Sequence, residues 1–340
     1  MHARLAFRAL AAVALSALTA SAVSAQTSAQ QAPQVSVTGV VYTQYQYSDA
    51  PIAAKSTFDM TRAYVNVLGR FSNGITTRVT TDIIPSAAAP GQVIRLKYAF
   101  AAWTPTGSSL TYKLGMIHTP WVDFEETLWD YRMQGTIAVD RNPIGGPSTM
   151  TAADIGVGVD GHWNGERING QFVIVNGEGY SGGTGDFRKD VEARVSVRVQ
   201  PTNDNSRVGG LRVSGYAGIG KVTGIGTDRN RYLGMLSYRT LRYTLAGEFV
   251  SVKSGTFTGS IISAFGVYHL ATSSKVAFIG RVDVVDPNTN AANDGNTRII
   301  GGASYQLSPN VRMLADIDRV KPQGGVTAIN QFLVQAQFVF

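Results

Sequence analysis

From residue 34 to the C-terminus, apolar and polar side chains alternate with a period of two. This repetition limits the fold more than any other feature of the 340-residue sequence. Val191, Ala193, Val195, Val197 and Val199 alternate with Glu192, Arg194, Ser196 and Arg198. Ala63, Val65, Val67, Gly69 and Phe71 alternate with Arg62, Tyr64, Asn66, Leu68 and Arg70, and Ile94, Leu96, Tyr98 and Phe100 with Val93, Arg95, Lys97 and Ala99. Successive side chains of a strand point to opposite faces, so each run reads as a strand with one apolar face and one that often carries charge. About sixteen runs are present, near 34–48, 57–71, 75–84, 93–104, 110–118, 153–163, 168–176, 190–200, 210–220, 230–239, 241–253, 260–270, 275–285, 297–307, 311–320 and 329–340. The chain is predicted to be all-β.

The connections choose between a sandwich and a barrel. Ser72-Asn73-Gly74, Thr106-Gly107-Ser108, Asn164-Gly165 and Ser308-Pro309-Asn310 have tight-turn chemistry, whereas 85–92, 177–189, 286–296 and 321–328 are longer and looser. Short turns alternating with long loops are the asymmetry of a transmembrane barrel. One connection, 201–210, is longer than that rule predicts. A soluble sandwich of this size would divide into two domains, and no linker separates two halves. The expected architecture is therefore a 16-stranded antiparallel transmembrane β-barrel. In lipid every backbone N–H and C=O must be paired, so the sheet has to close.

Composition agrees with this. Charged residues make up 16% of the chain, against roughly 25% in an average soluble domain. There is no Cys, which excludes disulfide scaffolds, thiolate metal sites and Cys nucleophiles together. Arg4 and Arg8 precede an apolar run at 9–20, and Val23-Ser24-Ala25 offers small residues for cleavage. This reads as an export signal over 1–25, with 26–340 as a single outer-membrane barrel. The run is short of the roughly 20 residues that a spanning helix needs. Lys and Arg are dispersed along the chain, so no nucleic-acid partner is expected. The 14 Tyr and 14 Phe suit the aromatic girdles of a barrel wall. In the last run Phe332, Val334, Ala336, Phe338 and Phe340 share one face. An aromatic terminal residue after such a run resembles the signal that the bacterial barrel-assembly machinery reads.

Sixteen strands enclose more space than side chains can fill, so an aqueous channel is expected, narrowed by some inserted segment. The longest connection, about 119–152, is the third outer loop and the candidate for that constriction, folded inward. Asp123 followed by Glu126 resembles a capping box that opens a helix, continued by Leu128, Trp129, Tyr131 and Met133. Its apolar groups would pack on the inner wall and leave the acids facing water. The candidate constriction residues are His118, Asp123, Glu125, Glu126, Asp130, Arg132 and Arg141, with Asp140 adding to the acidic balance. Facing them, a basic wall is predicted from Arg62, Arg78, Arg95, Lys97, Lys113, Arg194, Arg198 and Arg281, with fewer acids (Asp82, Asp160, Glu192, Asp283). Charges of opposite sign across a narrow passage sort ions, because partial dehydration strengthens each Coulomb contact.

Several stretches resemble the phosphate-selective porin O and P family. They are Phe58-Asp59-Met60-Thr61-Arg62-Ala63-Tyr64, Gly115 through Pro120-Trp121 with Glu125, Ala153-Asp154-Ile155-Gly156-Val157, and Phe172 to Asn176-Gly177. They occur in order over about the first half of the exported chain. The resemblance implies a homotrimeric channel for small anions in the outer membrane of a Gram-negative-type bacterium. The third loop lacks an Arg/Lys cluster, so the architecture and the channel role carry over and the phosphate site does not.

Other signals lead elsewhere. Gly179-Tyr180-Ser181-Gly182-Gly183 matches a nucleophile elbow by letters, but it lies in a glycine-rich loop with no helix after it. Asp286, Asn288 and Asn290 copy half of a calcium loop, with Ala291 in place of its turn glycine and Thr297 in place of its bidentate Glu. Gly218-Ile219-Gly220 has neither the third glycine nor a helix. No enzyme activity, cofactor or metal is therefore expected. The function expected is passive diffusion of small hydrophilic solutes and ions, leaning to anions and including phosphate as a candidate. The alternatives are a non-conducting structural or adhesive barrel, whose inner face should be filled by large apolar residues, and a specific channel for organic acids or sugars.

Overall fold

The computed structural model describes residues 32–50, 56–86, 90–144, 149–182, 185–273 and 275–340, so the export signal expected at 1–25 lies outside the described residues. Among them are sixteen strands: β1 Gln34–Ser48, β2 Ser56–Arg70, β3 Ile75–Pro85, β4 Gln92–Trp103, β5 Leu110–His118, β6 Ala153–Trp163, β7 Ile168–Val175, β8 Asp190–Gln200, β9 Gly210–Lys221, β10 Asp228–Arg239, β11 Tyr243–Ser254, β12 Phe257–His269, β13 Val276–Asp286, β14 Asn296–Ser308, β15 Val311–Pro322 and β16 Ile329–Val339. Each pairs antiparallel with its neighbours in sequence, and β16 returns to β1 with Val40 opposite Val339, so the sheet is a closed barrel. The predicted runs match these strands closely; the largest difference is at β12, which begins three residues earlier than expected, at Phe257.

The alternation sorts the two faces of the sheet. On β8, Asp190, Glu192, Arg194, Ser196 and Arg198 are covered, while Val191, Val195, Val197 and Val199 are exposed. The exposed face is apolar all round, with Leu114, Leu245, Phe249, Ile262, Ile299 and Ile317 among its members. Phe332, Phe338 and Phe340 belong to it, as the last run predicts. The strand ends agree with the turn chemistry: Asn73 and Gly74 both have left-handed backbones, with φ of 61° and 74°. Such turns follow the right-handed twist of the strands they join.

Four register shifts interrupt the ladders among the described residues, two of them near strand ends, at Arg198/Gln200 and Gln306/Ser308. The β1–β2 register shifts between Tyr42 and Thr43, and the β3–β4 register shifts between Thr80 and Thr81. In the second, Thr81 pairs with Leu96 and Thr80 with Tyr98, so Lys97 is the extra, bulged residue. A bulge re-aims the residues that follow it. Leu96 is exposed, whereas Lys97 and Tyr98 are both covered. The sequence reading placed Tyr98 and Phe100 on the face opposite Lys97; the bulge moves Tyr98 to the same face.

Close backbone approach requires glycine at several positions, Gly115 among them. Gly115 on β5 has φ 121°, and a Cβ there would lie 2.3 Å from the Ala99 carbonyl oxygen of β4. The barrel seam carries a different contact. Gly39 and Phe340 exchange both backbone hydrogen bonds, and a Cβ on Gly39 would meet the Phe340 ring at 2.1 Å, so this ring lies over the glycine.

Candidate functional site

The connection at 119–152 begins where β5, only nine residues long, stops. Its helix α1 spans Val122–Trp129, and a second short helix, α2, spans Ala138–Arg141. The sequence reading expected a capping box at Asp123. Trp121 occupies the cap position instead and makes no side-chain cap bond. Asp123 therefore lies in the first turn, where a negative charge suits the helix dipole. Asp130 stops the helix in a left-handed conformation, φ 51°, so Tyr131 and Met133 lie beyond it.

The apolar residues of the segment form a continuous core with the covered face of the sheet. Trp121, Val122, Phe124, Leu128, Trp129, Tyr131, Met133, Ile137 and Ile144 meet Leu233, Met235, Val250, Val252, Ile261, Phe265, Ile279, Ile300 and Leu314. Burying each large side chain is worth about 1.5–3 kcal/mol, so the segment is strongly anchored. The sequence reading gives the inward face Arg, Lys, Asp, Ser, Thr and Gly, and over β10–β15 the structure corrects it, because large apolar residues are covered there. Both faces of these strands are rich in apolar residues, so alternation alone could not tell which residues would be covered. Hydrogen bonds add direction: Tyr131 Oη lies 2.7 Å from Ser304 Oγ, Gln134 Nε2 donates to Asp318 Oδ2 at 3.1 Å, and Gln335 Nε2 donates to the Met133 carbonyl at 2.8 Å.

Each candidate constriction residue has a defined place. Asp123 Oδ2 accepts from Arg207 Nη2 at 2.8 Å, and Glu126 Oε1 lies 3.0 Å from Arg132 Nε. Asp130 Oδ2 is 3.3 Å from Arg312 Nη2. Arg141 is mostly buried; its Nη2 donates to the Gln134 carbonyl, and its Nη1 is 3.9 Å from Asp318 Oδ2. His118 packs against Tyr98 with ring centroids 4.1 Å apart and planes tilted by 33°, and has Arg78 Nη1 at 3.2 Å from its Nε2.

Glu125 does not face water. It is 1% exposed, because the helix turns this residue into the apolar contact. Trp121 Nε1 donates to its Oε2 at 2.7 Å, while its Oε1 has no hydrogen-bond partner among the described residues. Burial, and then the facing carboxyl of Glu248, pushes the Glu125 carboxyl well above the ordinary carboxylate range. The docked loop thus holds a proton that an undocked Glu releases, so docking weakens as pH rises toward the raised value. Glu125→Gln is expected to flatten this dependence. Trypsin cleavage within 119–152, compared at about pH 6 and about pH 9, checks it; equal pH sensitivity in both proteins would sink the argument.

The predicted basic wall lies on the covered face, but it does not pair with the acids of the loop. Arg62 and Arg95 flank Asp82 at 3.3 and 2.8 Å, Lys113 pairs with Asp160, and Arg281 pairs with Asp283 at 2.8 Å. Arg194 donates to the Pro120 carbonyl and lies over the Phe124 ring, and Arg198 donates to the Gly209 and Ser206 carbonyls. Arg78 donates to Asn66 and Thr80, and Lys97 to Tyr64. Glu192 pairs with Arg231. His162 Nδ1 lies 3.8 Å from Glu166 Oε1.

Sequence reasoning missed several participants. Arg207 belongs to the over-long 201–209 connection, whose length was the only signal. It donates to the Asp123 carboxylate and carbonyl and to Thr127. Arg231, Arg239, Arg298 and Arg312 obey the same alternation and could have been placed by it. Tyr180, in the 177–189 loop, accepts from Arg95 and donates to Asp82.

Between α1 and β1–β4 a cavity of about 510 Å³ remains. Tyr42, Tyr64, Asn66, Arg78, Lys97 and Tyr98 face Asp123, Glu126, Asp130 and Arg132 across it. The arrangement can hold small polar solutes between opposed charges.

No protein-family model matches this sequence, and no curated protein does. Solved structures do. The chain is similar to the anion-selective porin from Comamonas acidovorans, with TM-score 0.68 and 12% identity over 91% of this chain and 100% of that one. It is similar to outer-membrane expressed OmpT of Vibrio cholerae, with TM-score 0.62 and 13% identity over 91% and 98%. A mutant of the Rh. blastica porin gives TM-score 0.59 and 12% identity over 90% and 100%. At these identities the likeness is one of fold: the chain has the closed-barrel fold of solved porins.

Proposed function

We propose that this chain is an outer-membrane porin of a Gram-negative-type bacterium, passing small hydrophilic solutes by diffusion with a lean toward anions. The observation that carries the reading is the charged cavity left between the 119–152 segment and β1–β4. The segment touches one face of β1–β4 and of β8–β16, and this supports reading it as a constriction across the lumen. The apolar exposed face is what a bilayer requires, and closure leaves no strand edge in lipid. Export through a signal at 1–25, assembly through the terminal Phe340 face and a phosphate preference belong to the same reading. So does a homotrimer, which the trimer form of in-vitro folded OmpT from Vibrio cholerae supports. No chemistry is assigned to it.

A second reading, a non-conducting barrel, is favoured by one observation: the apolar half of the covered face is sealed by the segment. Conductance of the refolded chain, 26–340, in a planar bilayer separates the two. Stepwise openings are expected, with a reversal potential under a KCl gradient that favours chloride. Cation preference would hand selectivity to Asp123, Glu126 and Asp130, and silence from folded protein would leave the sealed barrel.

A further inference from the structure

Most cations on the covered face are neutralised by a carboxylate, but two that border the cavity are not. Among the described residues, Arg62, Arg95, Lys113, Arg231, Arg281, Arg298 and Arg312 each have an acid as partner, whereas Arg78 and Lys97 have none. The Arg78 donors are engaged by Asn66 Oδ1, Thr80 Oγ1 and His118. Lys97 makes one long contact, 3.4 Å to Tyr64 Oη, although it is 5% exposed. The acids across the cavity, Asp123, Glu126 and Asp130, are paired with Arg207, Arg132 and Arg312, so a covered ammonium with spare donors favours an incoming anion.

The surroundings of Lys97 narrow the class of anion. Its Nζ lies 4.7 Å from the Tyr64 ring centre and 5.3 Å from that of Tyr98, and Arg78 Cζ lies 4.6 Å from the Tyr98 ring centre. Tyr42 meets Tyr64 edge to face at 6.3 Å, and Val40 and Val339 complete that side of the cavity. The β3–β4 bulge creates the arrangement, because it sends Lys97 and Tyr98 to one face. Bulges of this kind sit where a side chain has to be aimed. A bare inorganic oxyanion uses charge and many donors, but gains nothing from tyrosine rings and valines. A carboxylate with an apolar body uses both: two oxygens for the cations and carbon for the rings.

We propose that Lys97 and Arg78, with Tyr42, Tyr64 and Tyr98, form a retention site for small organic carboxylates that carry an aromatic or branched body. This rests on the diffusion reading and deepens it, since solutes would pause at the site during passage.

The test uses refolded 26–340 in a planar bilayer with benzoate, acetate or inorganic phosphate added at equal ionic strength. Benzoate is expected to halve the open-channel current at a concentration at least about tenfold below that of acetate or phosphate. Lys97→Gln is expected to raise the half-blocking benzoate concentration at least about tenfold, and Tyr64→Leu to raise it in the same direction. Block by phosphate at equal or lower concentration overturns the proposal, and so does an unchanged half-blocking concentration in Lys97→Gln. Clear openings with no benzoate block remove the retention site and leave the diffusion reading intact. If the barrel passes no current, calorimetric titration of benzoate into the folded wild-type protein in detergent decides the site alone. One-to-one binding retains it without the pore, and no binding removes it.

Discussion

Replacing Trp129 by alanine is expected to release the 119–152 segment while leaving the barrel closed. The indole is fully covered, with its ring 5.4 Å from Phe265, Arg281 over its face at 5.4 Å, and its Nε1 donating to the Gly135 carbonyl at 3.2 Å. Truncating such a side chain costs about 3–5 kcal/mol, from lost burial and from the cavity left behind. That cost falls on docking rather than on the sheet, because the strand pairing of β11–β13 does not involve Trp129. Undocking then becomes more frequent by about two to four orders of magnitude, the factor that 3–5 kcal/mol implies. Trypsin added to folded protein is the direct measurement: cleavage after Arg132 and Arg141 should appear in Trp129→Ala and be absent from the parent. Equal resistance in both would mean that the indole is not the anchor.

Replacing Arg231 is expected to destabilise the barrel itself. Its Nη2 lies 2.7 Å from Asp190 Oδ2 and 3.1 Å from Glu192 Oε1, and these acids are 1% and 3% exposed. Arg229 shares Asp190, so Glu192 is the group left alone when Arg231 is removed. An uncompensated charge in a covered site costs about 3–5 kcal/mol, more than the intact pair contributes. Arg231→Met should therefore unfold at lower temperature, read as the shift from compact to extended mobility on unheated and heated gels. Adding Glu192→Gln should restore part of the loss, since it removes the stranded charge. A double variant no better than the single one would place the effect in packing, for instance in the 3.5 Å contact from Arg231 Nη1 to the Thr149 carbonyl.

Strand number, order and nearly all strand limits could be read from the sequence, because a period of two sustained over one strand after another has few solutions. What could not be read had local causes. The bulge at Lys97 changes the facing of Tyr98 and Phe100 without any change in composition. The covered apolar half was missed because β12 and β13 carry branched residues on both faces, as at Ile261-Ile262 and Val284-Val285. The loop helix was foreseen, but not its rotation, and rotation decides that Glu125 is sealed while Asp123 reaches Arg207. Charge pairing was the least legible feature. Asp130 meets Arg312, 182 residues away, and only the closed sheet brings the two together.

The anchoring of the 119–152 segment has a consequence for the order of events. Tyr131 is held by Ser304, Gln134 by Asp318 and the Met133 carbonyl by Gln335, partners 173, 184 and 202 residues further along the chain. They lie on β14, β15 and β16, the last strands to be made. Such distant contacts come at a large loop-closure entropy unless the intervening chain is already ordered. The segment is therefore expected to take its final shape late, once β14, β15 and β16 are in place, so that the sheet shapes the segment and not the reverse.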